Sequence, residues 1–121
     1  MSFQNRIAST ADVLRHHRAR RIMGWQLPSL SALRTLEAAA RHLSFTKAAA
    51  ELNLTQSAVS RHIRGMEDYL GVLLFERVKQ RLVLTVAGQS YVEEIRSSLS
   101  RMQDATINLV AHKGRGGFLT V

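Results

Sequence analysis

Between residues 30 and 70 the apolar positions recur every three or four residues and are interrupted twice by short polar segments, a pattern that predicts three helices in quick succession. Pro28 cannot continue a preceding helix, and Ser29, Leu30 and Ser31 follow it as a helix entry. The first helix runs to about 42. Leu30, Leu33, Leu36 or Glu37, Ala40 and Leu43 form its apolar stripe, while Arg34, Glu37 and Arg41 occupy the remaining surface. Ser44 caps a second, short helix over 45–52, whose Ala48, Ala49 and Ala50 offer a surface that another helix can approach closely. Asn53 and Leu54 break it, and Thr55 caps a third helix. There Val59, Ile63, Met66 and Leu70 stand at i, i+4, i+7 and i+11, a single stripe that stops at Gly71. Two helices joined by so short a turn must cross steeply.

Beyond Gly71 the pattern changes. Two apolar runs, 73–75 and 82–84, flank the polar segment 76–81, which reads as a two-stranded ribbon with a basic tip, a wing. A long helix is expected over about 86–111, because Val92, Ile95, Leu99, Met102, Thr106 and Leu109 step alternately by three and four, the rhythm of a coiled-coil seam. That seam implies a second copy of the chain, packing within one chain being the other reading. Gly114, Gly116 and Gly117 should end the helix, and 118–121 resembles an opening strand. The expected division is a basic arm over 1–26, a winged helix-turn-helix over 27–87, a linker and dimerisation helix over 88–112, and the start of a further domain over 113–121. The expected fold is mainly α.

Composition narrows the classes. A length of 121 residues holds one compact domain with an appended helix. The formal charge is +8, divided as +4 over 1–26, +3 over 27–87 and +1 over 88–121, a balance that suits a polyanion partner. The cluster at 15–21 is either a solvated arm or a phosphate-binding tail. Cysteine is absent and the five histidines, adjacent at 16 and 17 and scattered at 42, 62 and 112, form no ligand set, so no metal site and no cofactor are expected in this stretch. With no long apolar run and no secretory h-region, the expectation is a cytoplasmic protein without a membrane partner.

The third helix carries the candidate chemistry. Once its apolar stripe is committed to the core, Gln56, Ser57, Ser60, Arg61 and Arg64 share the exposed side. Arginine can donate twice to guanine O6 and N7, glutamine can pair with adenine N6 and N7, and serine serves either a base or a phosphate. Such a face on an isolated helix would ordinarily be only solvated. Here it follows a capped short helix and a tight turn and precedes a basic hairpin, the order of a winged helix-turn-helix whose second helix lies in the major groove. Glu67 and Asp68 at the far end would repel phosphates, so the N-terminal half is the end that enters. Arg77, Lys79 and Arg81 can follow phosphates or enter a minor groove, or remain solvated turn charges. Thr46 and Lys47 can hold a phosphate with help from backbone amides. No catalytic set accompanies these residues, so an enzyme is not expected. An architectural protein without sequence preference would show a salt slope and nothing more.

The segments SFTKAAAEL at 44–52 and LTQSAVSRHI at 54–63 resemble the helix-turn-helix signature of LysR-type transcriptional regulators, and the likeness continues through Met66, Glu67, LGVLLFER at 70–77, Leu84, Thr85, Ala87 and Gly88. Within that family, 24–27 and 38–45 are most similar to the glycine-cleavage and D-serine-deaminase activators. The resemblance implies a homodimer, or a tetramer at full length, that binds an inverted-repeat operator in double-stranded DNA. It also implies a small-molecule effector bound by a separate C-terminal domain. By the same comparison Thr46, Gln56, Ser57, Ser60, Arg61 and Arg64 match positions that meet DNA, and 77–81 match the wing. Val86 stands where the family usually has an acidic residue ahead of Ala87 and Gly88.

Overall fold

A computed structural model describes residues 27–114. Helices α1 (Leu30–His42), α2 (Phe45–Leu52) and α3 (Gln56–Leu70) lead into strands β1 (Phe75–Val78) and β2 (Arg81–Leu84) and then a long helix, α4 (Val86–Gly114). The expected basic arm and the segment 115–121 lie outside the described residues.

Each of the first three helices begins at a hydroxyl residue in extended conformation. Ser29 accepts from the Ala32 amide at 3.1 Å, Ser44 from Lys47 at 3.1 Å and Thr55 from Ala58 at 3.0 Å. Each cap contributes about 1 kcal/mol by satisfying an amide that the helix leaves unpaired. The helices end at Leu43, Asn53 and Gly71, all left-handed. Such a residue turns the chain within one step, which keeps α1, α2 and α3 in mutual contact. Leu36, Ala39, Ala48 and Val59 have no exposed surface, and Ile63, Met66, Leu74 and Phe75 complete the same core. Phe45 meets Phe75 edge to face at 5.5 Å and so ties α2 to the ribbon.

The α1 stripe is narrower than its periodicity suggests. Leu30 and Leu43, expected to be buried, are 51% and 47% exposed: the one is the first residue of α1 and borders an open hollow with Leu99 and Met102, and the other has turned left-handed at the C-cap. The ribbon is longer and its tip shorter than expected. Val78 pairs with Arg81, so Lys79 and Gln80 alone make the turn, both with positive φ, while Glu76, Arg77 and Arg81 belong to the strands. Two consecutive left-handed residues give the type I′ geometry that matches strand twist.

The junction between ribbon and α4 is built around Thr85. Its amide donates to the Leu74 carbonyl at 3.0 Å and its hydroxyl to the Leu73 carbonyl at 2.7 Å, and that same hydroxyl accepts from the Gly88 amide at 2.9 Å. Gly88 is buried where the helix rests on the Leu74 backbone, and a Cβ there would run into the Leu74 carbonyl. Gly65, in the middle of α3, has nothing within 4 Å of its missing Cβ.

The first half of α4 closes the core: Val92 is 1% exposed and Ile95 packs against the buried cluster. Both were expected on the seam between chains; Val92 is instead covered by this chain's own fold, and Ile95 is covered in part. A step of three and four marks a face but not which helix covers it. From Ser100 onward every residue of α4 is exposed, and Met102, Ile107, Leu109 and Val110 lie more than half open to solvent.

These two glycines should respond in opposite directions. Gly88→Ala is expected to destabilise the fold by about 1–3 kcal/mol or more, since the junction cannot widen without breaking the Thr85 bonds. Gly65→Ala should stabilise it by about 1 kcal/mol through helix propensity alone. Urea unfolding checks both, and a neutral Gly88→Ala would remove the close approach from the account.

Candidate nucleic-acid interface

With about 100° per residue, Gln56, Ser60, Arg64, Ser57 and Arg61 fall in that order across an arc of about 140° on α3, beside rather than across the Val59, Ile63 and Met66 stripe. All are exposed except Ser60, which is half-buried. The arc is therefore free of the core that holds the helix in place.

The wing overhangs this face. Strand alternation puts Arg77 on the same side of the ribbon as the buried Phe75, across from Leu82, so its guanidinium reaches toward the helices. It donates to the Gln80 carbonyl at 3.4 Å. Arg77, Gln80 and Arg81 line one wall of a hollow of about 420 Å³, and Ser44, Thr46 and Gln56 line the other. Arg77 also borders a smaller hollow, about 170 Å³, with Ser60 and Arg64. Arg61 faces a third, about 230 Å³, where α3 meets Leu27, Pro28 and Ser29. Thus Thr46, Gln56, Arg77 and Arg81 are brought together, Ser60 and Arg64 adjoin them through Arg77, and Arg61 stands at the opposite margin. Lys79 projects at the wing tip; Ser57 and Lys47 are exposed and line none of these hollows.

Glu67 has a different role from the one its charge suggests. Its carboxylate accepts from the Leu74 amide at 2.8 Å and the Phe75 amide at 3.2 Å, so it anchors the start of the wing to the foot of α3. Bonds of this kind, to an ionised acceptor, are stronger than neutral ones. Gln80 is the other residue that sequence reasoning passed over. Its sign was the pair Lys79 and Gln80 between two runs that pair residue for residue, without the asparagine or glycine that usually announces a two-residue turn.

The cations divide into two populations. Arg41 bridges Glu37 at 2.8 Å and Glu51 at 2.7 Å, His42 meets Glu51 at 2.7 Å, and Arg96 of α4 reaches Glu37 at 3.3 Å. This clasp joins α1, α2 and α4. Hydrogen bonds from Arg41 hold the Glu37 carboxyl below its usual range, and those from Arg41 and then His42 hold Glu51 at about 2. Lys47, Arg61, Arg64, Arg77, Lys79 and Arg81, in contrast, make no ion pair among the described residues. Of the Lys and Arg side chains without an ion pair among the described residues, five therefore lie on the arc and wing with Lys47 on nearby α2, the charge that a phosphate-bearing partner would require, and Arg34, Arg101 and Lys113 lie elsewhere on α1 and α4. Among the described residues there is no group of three His, Cys, Asp or Glu side chains able to hold a metal, and no helix long and apolar enough to cross a membrane.

Residues 30–89 match the bacterial regulatory helix-turn-helix protein, lysR family. Over 99 residues the chain is 50% identical to the glycine cleavage system transcriptional activator of Escherichia coli (strain K12), an alignment spanning 82% of this chain and 32% of that protein. Among solved structures, the complex of BenM_DBD with benA site 1 DNA is similar at a TM-score of 0.65 and 31% identity, with 73% of this chain and 98% of that chain covered. A transcriptional regulator of the LysR family from Eggerthella lenta DSM 2243 is similar at a TM-score of 0.51 and 39% identity, over 60% of this chain and 97% of that one. The chain spans about a third of the length of the glycine cleavage activators it matches.

The clasp predicts an acid response with a definite sign. Both carboxyls sit below the unfolded value of 4.5, so their contribution is complete above that pH and is lost as the pH falls toward about 2. The thermal midpoint should decline over that window, less steeply in high salt because Glu51, Arg41 and Arg96 are exposed although Glu37 is half-buried. Arg41→Met should flatten the decline; an unaltered slope in that variant would discard the clasp as its origin.

Proposed function

The chain belongs to the lysR family of bacterial regulatory helix-turn-helix proteins, and from that membership we propose that it reads a specific double-stranded DNA site as a dimer. It carries a LysR-type winged helix-turn-helix DNA-binding domain, whose role is regulatory rather than catalytic. The observation that carries the finer reading is the arc of α3, where Gln56, Ser57, Ser60, Arg61 and Arg64 stand together beside a wing whose cations make no ion pair among the described residues. In this reading the N-terminal half of α3 enters the major groove. Arg77, Lys79 and Arg81 follow the backbone or the minor groove, and Lys47 takes a phosphate. That a similar domain, 98% covered by this chain, is found in a complex with DNA supports the docking.

Dimerisation, in the same reading, belongs to the exposed half of α4. Leu99, Met102, Thr106 and Leu109 continue the seam beyond the core, and Ile107 and Val110 widen it. Val92 and Ile95 set the angle at which the helix leaves the domain. A twofold pair presents two copies of α3 to major grooves about 34 Å apart, which fits an inverted repeat. Higher assembly to a tetramer, a cytoplasmic location and a small-molecule effector held by a separate C-terminal domain complete the proposal, on the family likeness.

Selection from a random duplex pool supplies the site, after which two substitutions separate reading from positioning. Arg61→Ala should cost about 1–3 kcal/mol and relax preference at one base pair, whereas Lys79→Ala should weaken every sequence alike and lower the salt slope by about one. Equal losses on selected and random duplex for both variants would refute base reading by α3. For the seam, Met102→Asp combined with Leu109→Asp should leave a folded monomer in sedimentation, since neither side chain belongs to the core; an intact dimer would move the interface elsewhere.

A further inference from the structure

The starts of α2 and α3 are joined by one side-chain bond. The Thr46 hydroxyl, at the second position of α2, donates to Oε1 of Gln56, the first residue of α3, at 3.3 Å. Both ends are held by their helices: the Ser44 cap fixes the backbone before Thr46, and the Thr55 cap fixes the backbone before Gln56. Both side chains are exposed, and both line the hollow under the wing with Arg77, Gln80 and Arg81.

This bond chooses between the two faces of the Gln56 amide. A glutamine free to rotate can present its carbonyl and its NH₂ together, the complement of adenine N6 and N7. With Oε1 drawn back to Thr46, the amide turns its NH₂ outward and offers donors. Guanine displays two acceptors, N7 and O6, on its major-groove edge, whereas adenine pairs one acceptor with a donor that would face the NH₂. We infer that Thr46 is a positioning residue that holds Gln56 as a donor, so that the base pair beneath Gln56 is read as guanine rather than adenine. The inference rests on the reading that α3 faces base edges. It also gives Thr46 a task distinct from phosphate binding, for which the Lys47 amide is already occupied by Ser44.

The test uses the 121-residue chain and the duplex it selects from a random pool, with all four base pairs placed in turn at each position. Gln56→Ala should flatten preference at a single position and so identify it. There the unaltered chain should favour guanine over adenine by about tenfold, the scale of one good side-chain pair. Thr46→Val, which keeps the shape and removes the hydroxyl, should erase or invert that preference, and Thr46→Ser should restore it. Three results overturn the inference while leaving base reading by α3 intact: a preference for any base other than guanine beneath Gln56, an unchanged profile in Thr46→Val, or a Thr46→Val loss that is uniform over all sequences. If Gln56→Ala alters no position, base reading at this end of α3 fails and the inference fails with it.

Discussion

Ala38, Ala39, Ala48 and Ala49 keep almost no surface exposed, in the core where α1, α2 and α3 contact one another. The constraint is geometric. Short side chains let the helix axes come close, and the steep crossing of α2 and α3 then brings their N-termini together at one edge of the domain. The exposed arc, the Thr46 to Gln56 bond and the hollow beneath the wing all lie at that edge. A methylene added at any of the four alanines would act on the face as well as on the core, because packed interiors pass strain along rather than absorb it.

A second layer of order comes from backbone groups that find side-chain partners. Glu67 takes two amides at the start of the ribbon, and Thr85 takes two positions on the backbone before it and one on the helix after it. These bonds hold the wing from both ends, so that a ribbon of only two four-residue strands has a defined direction. Two-stranded ribbons standing alone are marginal in water, and this one is stabilised by what lies beneath it. The pairing of Arg41 and Arg96 with Glu37 and Glu51 completes the division of labour, neutralising charge on the clasp, while the arginines of the arc make no ion pair among the described residues.

Much of this was legible from residue order. Val59, Ile63 and Met66 recur at helical spacing, and the core buries them; Ser29, Ser44 and Thr55 precede helices, and all three cap them. What periodicity could not supply was the identity of the covering surface. Val92 and Ile95 look like seam residues because α1 supplies the same kind of apolar wall that a second chain would. Leu43 carries an apolar side chain at the spacing of a core position, but its left-handed φ of 49° turns it outward. For the candidate site, the exposed positions could be named from the wheel, whereas the partners could not. Glu67 finds its amides seven and eight residues on, and Thr46 meets Gln56 across ten, distances that depend on how helices cross.

The long helix has one further consequence. Its first turn is seated against the Leu74 backbone with no side chain at Gly88 to cushion it, while every residue from Ser100 to Gly114 is exposed, Met102, Gln103 and Thr106 bordering an open hollow against α1 and α2. That exposed stretch is roughly 21 Å of rigid rod. From Gly88 at that seat to Gly114 the helix is roughly 39 Å long, so a tilt of about 10° there carries the tip through about 7 Å. The arrangement is a lever whose seat adjoins the root of the wing, so a displacement at the distal end bears on the same Thr85 and Gly88 contacts that hold the ribbon.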